Sequence, residues 1–248
     1  MKFYQFAAIA VILISGGCLL LWYYFNLEFN KEITMARRDS KQMRCDSSQY
    51  MAFTPSFTHD GRLNTHQPTK IDQPLFKPGK ANEKLAEFLF ANRHCFSAII
   101  TQRAISDVWL LNKKMIYPLN NPTEADYGIL KGSNTRVYQM HRDNPQLNVR
   151  TFEALRCGLD RLKNADEREI VLIAHDAHYQ RAYFDLSIMH PPTKIFYPDL
   201  HNIPFPKTMS SAFWSVREFF VRPMELYKSR NPPINCRPEI ILNAPLIQ

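Results

Sequence analysis

Glycine is scarce, with seven in 248 residues. None falls in a GxGxxG, GxxxxGK(S/T) or GxSxG pattern, and no HExxH occurs. The common phosphate-cradling loops, the nucleophile elbow and the zinc-protease helix are thereby excluded. There is also no CxxC pair. Cys18 lies in an apolar run, and Cys45, Cys95, Cys157 and Cys236 are far apart, so a zinc-finger reading fails. No cofactor and no resident metal are expected. Internal repeats and low-complexity tracts are absent too. Charged residues make up 22% and hydrophobic residues 45%, which excludes wholesale disorder and allows a real core.

The net charge of +8 lacks a concentrated patch. Lys and Arg are spread along the chain, with one modest cluster at Lys31, Arg37, Arg38, Lys41 and Arg44. It adjoins an apolar segment, so lipid headgroups are its simplest partner and no nucleic acid is expected. The four cysteines beyond Cys18 permit two disulfides in an oxidising compartment. Equally, Cys95 and Cys157 suit small buried hydrophobic positions.

Phe6 to Phe25 carries no charge. Twenty helical residues span about 30 Å, the thickness of a bilayer's hydrocarbon core. Trp22, Tyr23 and Tyr24 stand at one end, where amphipathic rings prefer the headgroup level. A cleaved signal peptide is the rival. Ser15-Gly16-Gly17-Cys18 faintly resembles a lipoprotein cleavage box, but the apolar run continues beyond it. An uncleaved anchor touching the bilayer through residues 6–25 is therefore expected. Only Lys2 and the α-amino group precede the run, and the basic cluster follows it. Read literally, the positive-inside rule favours a cytoplasmic domain, though Glu28 and Glu32 flank Lys31 and weaken that reading. The expected organisation is an anchor at 1–28, a linker at 29–48, an α/β domain at 49–228 and a Pro-rich tail at 229–248.

Within the domain, residues 49–57 read as a short strand, followed by a turn at 58–62 with Asp60-Gly61 as punctuation. Leu85, Phe88 and Leu89 share one face of a helix over 82–93. Cys95–Thr101 is rich in β-formers. The signal between Arg103 and Arg136 is mixed, with a helix predicted around 124–131 and a strand over 135–140. Phe152, Leu155, Leu159 and Leu162 form one stripe of a helix over 151–162. Glu169–Ala174 (EIVLIA) is continuous and apolar, as in a parallel strand covered on both faces. A helix at 178–189, a short strand at 194–197 and a helix at 210–227, kinked or ended by Pro223, complete the pattern. Such alternation predicts an α/β fold, a Rossmann-like and mostly parallel sheet with flanking helices.

Ligands bind such sheets at the carboxyl ends of the strands. Those loops offer Thr54, Ser56, Thr101, Gln102, Arg103, His141, Arg142, Asp143, His175, Asp176, His178 and Asp199. Arg150 and Thr151 open a helix whose first amides suit an anion. The densest stretch is His175-Asp176-Ala177-His178-Tyr179-Gln180-Arg181. Two imidazoles and a carboxylate at a strand-to-helix junction suit general acid–base work. The plainer reading is that Asp176 caps the helix, one histidine packs and the other meets water. Glu124 is either a first-turn helix residue or a pocket carboxylate.

The segments and their order resemble the SanA/ElyC/YdcF family of bacterial envelope proteins, the SanA-type branch most closely. Val149-Arg150-Thr151-Phe152-Glu153-Ala154 resembles that branch's Arg-Thr helix start. Ile170 to Ala182 resembles its apolar strand and His-x-x-Arg-Ala step, placing His178 and Arg181 on motif positions. Ser215 to Pro223 resembles its C-terminal helix, and Glu124 falls near its pocket glutamate. Two departures stand out. The turns after the first two strands lack glycine, and Ala174-His175 stands where the family has Thr with Ser or Gln. The resemblance implies an inner-membrane anchor, a periplasmic domain and a part in envelope barrier function or peptidoglycan-related metabolism. It also implies a small anionic-ligand pocket, here Arg150, Thr151, Arg181, Thr54, Ser56, Thr101, Gln102 and Asp143. Two other roles remain open. One is an enzyme acting on an anionic envelope precursor, with His178, His175 and Glu124 as its acid–base groups. The other is a tethered interaction module using the tail Asn231–Gln248.

Overall fold

The computed structural model describes residues 50–57, 77–112, 115–117, 128–140, 151–161, 169–189, 195–196, 200 and 203, with scattered residues between 12 and 45. Seven strands form one sheet: β1 (Tyr50–Thr54), β2 (Phe96–Gln102), β3 (Ile116–Tyr117), β4 (Gly128–Leu130), β5 (Arg136–Met140), β6 (Ile170–Leu172) and β7 (Ile195–Phe196). Four helices accompany them: α1 (Gly79–Ala91), α2 (Arg103–Leu111), α3 (Thr151–Arg161) and α4 (Asp176–Met189). The order across the sheet is β3-β4-β5-β2-β1-β6-β7. From β5 to β7 all pairings are parallel, while β3 and β4 add an antiparallel edge. The expected mixed α/β sheet is present.

Alternation along the strands decides which helices cover which face. Met51, Phe53, Ile100 and Leu172 pack with Ala154, Leu155, Ala182 and Leu186 of α3 and α4. Ala52, Ile99 and Val171 pack on the other face with Leu85 and Leu89 of α1 and Trp109 of α2. Every residue of β1 is buried, as a central parallel strand demands. Trp109 satisfies its indole N–H on the Ala86 carbonyl at 3.2 Å, locking α2 onto α1. One close approach needs glycine. A Cβ at Gly158 of α3 would stand 2.5 Å from Ile100 Cγ2, so the helix lies almost directly on β2.

The helix predicted around 124–131 is corrected over its described part: Gly128–Leu130 is a strand. Gly128 pairs with Val137 and Ile129 with Arg136. The reversal uses Gly132 at φ 76°, a left-handed conformation that glycine adopts without steric cost. The mixed stretch after Arg103 opens as α2. Residues 124–127, the turn at 58–62, the helix at 210–227 and the tail lie outside the described residues.

More than half of 6–25 also lies outside them, and no helix among the described residues is long and apolar enough to cross a membrane. Every described residue from Ile12 to Arg37 is nonetheless helical. Within the stretch read as a linker, Ala36 is buried in the α3–α4 core, and Cys45 forms a disulfide with Cys95. Cys157 is disulfide-bonded as well, to a partner outside the described residues.

Candidate functional site

The strand order reverses direction at β1. The chain runs outward through β2 and β5 on one side and through β6 and β7 on the other. A crevice opens at such a switch point, at the carboxyl ends of the flanking strands. The residues there are Thr54–Phe57 after β1, Thr101–Arg103 after β2 and Ala174–His178 after β6.

The loop after β1 is held from both sides. Gln102 Oε1 accepts from the Ser56 amide at 2.6 Å and from the Ser56 hydroxyl at 2.7 Å. Asn82 Oδ1 accepts from the Phe57 amide at 2.8 Å, while its Nδ2 donates to the Pro78 carbonyl at 2.7 Å. The Thr101 hydroxyl lies 3.4 Å from the Thr54 carbonyl. Thr54 itself is fully buried, and its hydroxyl has no hydrogen-bond partner among the described residues.

Phe57, placed by this clamp, stacks on the His175 ring with centroids 3.9 Å apart and planes 4° apart. Both nitrogens of His175 are engaged. Nε2 faces the Ile203 carbonyl at 3.2 Å, which only accepts, so Nε2 carries the proton. Nδ1 accepts from the Ala177 amide at 3.1 Å. Burial pushes the His175 pKa below its ordinary value, against smaller upward pulls from Asp176 and the Ile203 carbonyl. An unfolded chain then takes up a proton near pH 6.5 that the folded chain refuses, so stability is full above about pH 6.5 and falls as pH drops below it. His175→Gln should remove that part of the acid loss, seen as a smaller drop in urea midpoint between about pH 7.5 and about pH 5.5. An equal drop in variant and parent would assign the loss to other groups.

The second group comes from the two helices on one face. Thr151 opens α3 and is buried, with its hydroxyl 3.1 Å from His178 Nε2. Arg181 Nη2 donates to the same nitrogen and lies 3.4 Å from the Thr151 hydroxyl. A guanidinium only donates, so His178 Nε2 is the acceptor and the neutral ring carries its proton on Nδ1. His178 and Arg181 are three residues apart on α4, hence on one helix face. The His178 ring centroid lies 6.2 Å from that of Phe57, which therefore sits between the two groups. Asp176 is paired with Arg37, Nη2 to Oδ1 at 3.0 Å.

The structure thus brings Thr151, His178 and Arg181 together, and separately joins Ser56 to Gln102 and Thr54 to Thr101. Glu124, Asp143, Arg150, His141, Arg142 and Asp199 lie outside the described residues. Sequence reasoning missed Phe57 and Asn82. The only signal for Asn82 was a polar side chain at the start of an apolar-faced helix, and for Phe57 an aromatic residue just past a buried strand. The one triplet with metal-ligand chemistry among the described residues is Cys45, His94 and Cys95, on the opposite edge, where the two sulfurs are joined to each other. The chain matches no family model, no curated protein and no solved structure at a significant level.

Proposed function

We propose that the chain is a membrane-anchored envelope factor of the SanA/ElyC/YdcF kind, contributing to barrier integrity or peptidoglycan-related metabolism. Its domain faces the periplasm and binds a small anionic ligand through Arg181, Thr151 and His178. The observation that carries the binding part is the convergence of a half-buried guanidinium on a buried hydroxyl at the first turn of α3, on the ligand-binding edge of the sheet. A guanidinium, a hydroxyl and the amides of a helix start are the donors an anion needs.

Two further observations support the setting. The Cys45–Cys95 bridge and the disulfide at Cys157 favour an oxidising compartment, and outweigh the charge count for orientation. Ile12, Leu13, Leu19, Leu20, Tyr23 and Tyr24 are each more than half exposed, and apolar side chains left uncovered by the domain suit a bilayer.

Binding is favoured over catalysis because both histidines are occupied. His175 uses both nitrogens in the fold, and the acceptor nitrogen of His178 is covered by Arg181. The test is rescue of a strain lacking this gene, scored for sensitivity to a large, envelope-excluded antibiotic. Losing one charge-assisted contact weakens binding by about 10- to 100-fold, so Arg181→Ala should fail to rescue while His175→Gln succeeds. Failure of His175→Gln at normal protein levels, with full rescue by Arg181→Ala, would favour the acid–base reading.

A further inference from the structure

The segment that leaves the apolar run does not hang free before the domain. Ala36 is buried against the α3–α4 face, in a cluster that includes Met51, Ala174, Tyr179 and Ala182. Arg37 clasps Asp176, the first residue of α4, two positions before His178. The contacts of Ala36 and Arg37 with the domain are therefore at the carboxyl edge of the sheet, beside the Thr151–His178–Arg181 group.

The chain is pinned a second time at Cys45. Its disulfide partner Cys95 precedes β2, at the amino edge of the sheet. Arg37 and Cys45, eight positions apart in sequence, thus have their partners at opposite edges. Two pins at opposite edges fix the domain's direction relative to the strap.

Arg37 lies twelve residues beyond Phe25. Twelve residues of chain reach at most about 43 Å. The clasp, with His178 and Arg181 one turn or so beyond it on α4, is thus tethered within that reach of the end of the apolar run. The sequence of the same strap carries Lys31, Arg37, Arg38, Lys41 and Arg44.

From this placement we infer that the Thr151–His178–Arg181 edge faces the bilayer and takes a phosphate-bearing lipid headgroup from the membrane. This rests on the anchored anion-pocket reading above and adds to it the source and class of ligand. A soluble phosphate ester shares the chemistry but not the route.

The test uses the full chain in nanodiscs of phosphatidylcholine doped with phosphatidate, with lipid retention read by native mass spectrometry. Glycerol 3-phosphate serves as the soluble arm, and the variants are Arg181→Ala and Arg181→Lys. The expected result is enrichment of phosphatidate over phosphatidylcholine by about tenfold or more, the scale of one charged hydrogen bond. Enrichment should vanish in Arg181→Ala, return in part in Arg181→Lys and resist glycerol 3-phosphate. If glycerol 3-phosphate binds in an Arg181-dependent way and phosphatidate is not enriched, the membrane source is wrong while the anion pocket stands. If enrichment persists in Arg181→Ala, the basic strap holds the lipid and the inference fails. If neither probe binds, the pocket reading falls with it.

Discussion

Replacing Cys45 by serine should cost the domain about 4 kcal/mol, since a crosslink across 50 residues removes that much loop-closure freedom from the unfolded chain. The bridge does more than restrict the unfolded state. It ties the segment before β1 to the amino edge of β2, where Cys95 is fully buried at the end of the short turn Arg93–Cys95. Cys45→Ser leaves a thiol in that apolar site, which packs acceptably, so the loss should be dominated by the missing link. Urea unfolding under non-reducing conditions, compared between parent and variant, measures the effect directly. A dithiol reductant also opens the Cys157 disulfide in both proteins, so under it parent and variant should unfold at nearly the same midpoint. A midpoint unchanged by the substitution would mean that the strap contributes nothing to the fold.

The second large effect is expected at Gly158. An alanine Cβ there would meet Ile100 Cγ2 at 2.5 Å and Cδ1 at 2.7 Å, both on a β-branched side chain buried under α3. Alanine would gain about 1 kcal/mol of helix propensity over glycine. Overpacking a filled core costs about 1–3 kcal/mol, and with two atoms well inside contact distance the upper end applies. A net loss of about 1–2 kcal/mol is therefore expected for Gly158→Ala, and more for Gly158→Val. The pairing with Ile100 can be checked by a double-mutant cycle. Ile100→Ala alone should cost about 2–5 kcal/mol, but in its presence Gly158→Ala should be neutral or stabilising. If Gly158→Ala is equally damaging in both backgrounds, something other than Ile100 sets the close approach. The consequence reaches the site, because α3 carries Thr151, and a helix lifted off β2 moves that hydroxyl away from His178.

Much of this architecture was legible from residue order. The apolar runs at 95–101 and 169–174 read as strands, and the stripe from Phe152 to Leu159 read as the helix that is α3. The carboxyl-edge rule then pointed to the loops that the structure does place at the switch point. What stayed hidden depends on partners distant in sequence. Gly128–Leu130 has no period of its own, and it is a strand because β5 offers an edge and Gly132 allows the reversal. The same holds for the strap. Nothing in residues 34–45 announces that Ala36 enters the core or that Arg37 finds Asp176 across 139 positions.

The two histidines show the limit at the site. By composition His175 and His178 are equivalent candidates for acid–base work. They are separated by their neighbours: a carbonyl, an amide and the Phe57 ring around one, a guanidinium and a hydroxyl around the other. Only the folded arrangement places the first in the loop clamp and the second with Thr151 and Arg181. The Ser56–Gln102 pair likewise shows itself only in the fold, as a clamp in which the Gln102 oxygen accepts twice.

The most direct measurement is a thermal titration of the purified full chain with inorganic phosphate at fixed ionic strength, sodium chloride serving as the charge control. A ligand that binds only the folded state raises the transition temperature in proportion to its occupancy, with about 2.7 kcal/mol of stabilisation at a hundredfold excess over Kd. The parent should show a saturable rise that chloride does not reproduce, and Arg181→Ala should abolish it while keeping its own cooperative transition. A parent that gains nothing from phosphate, or an Arg181→Ala variant that gains as much as the parent, would contradict the assignment of this edge as an anion site.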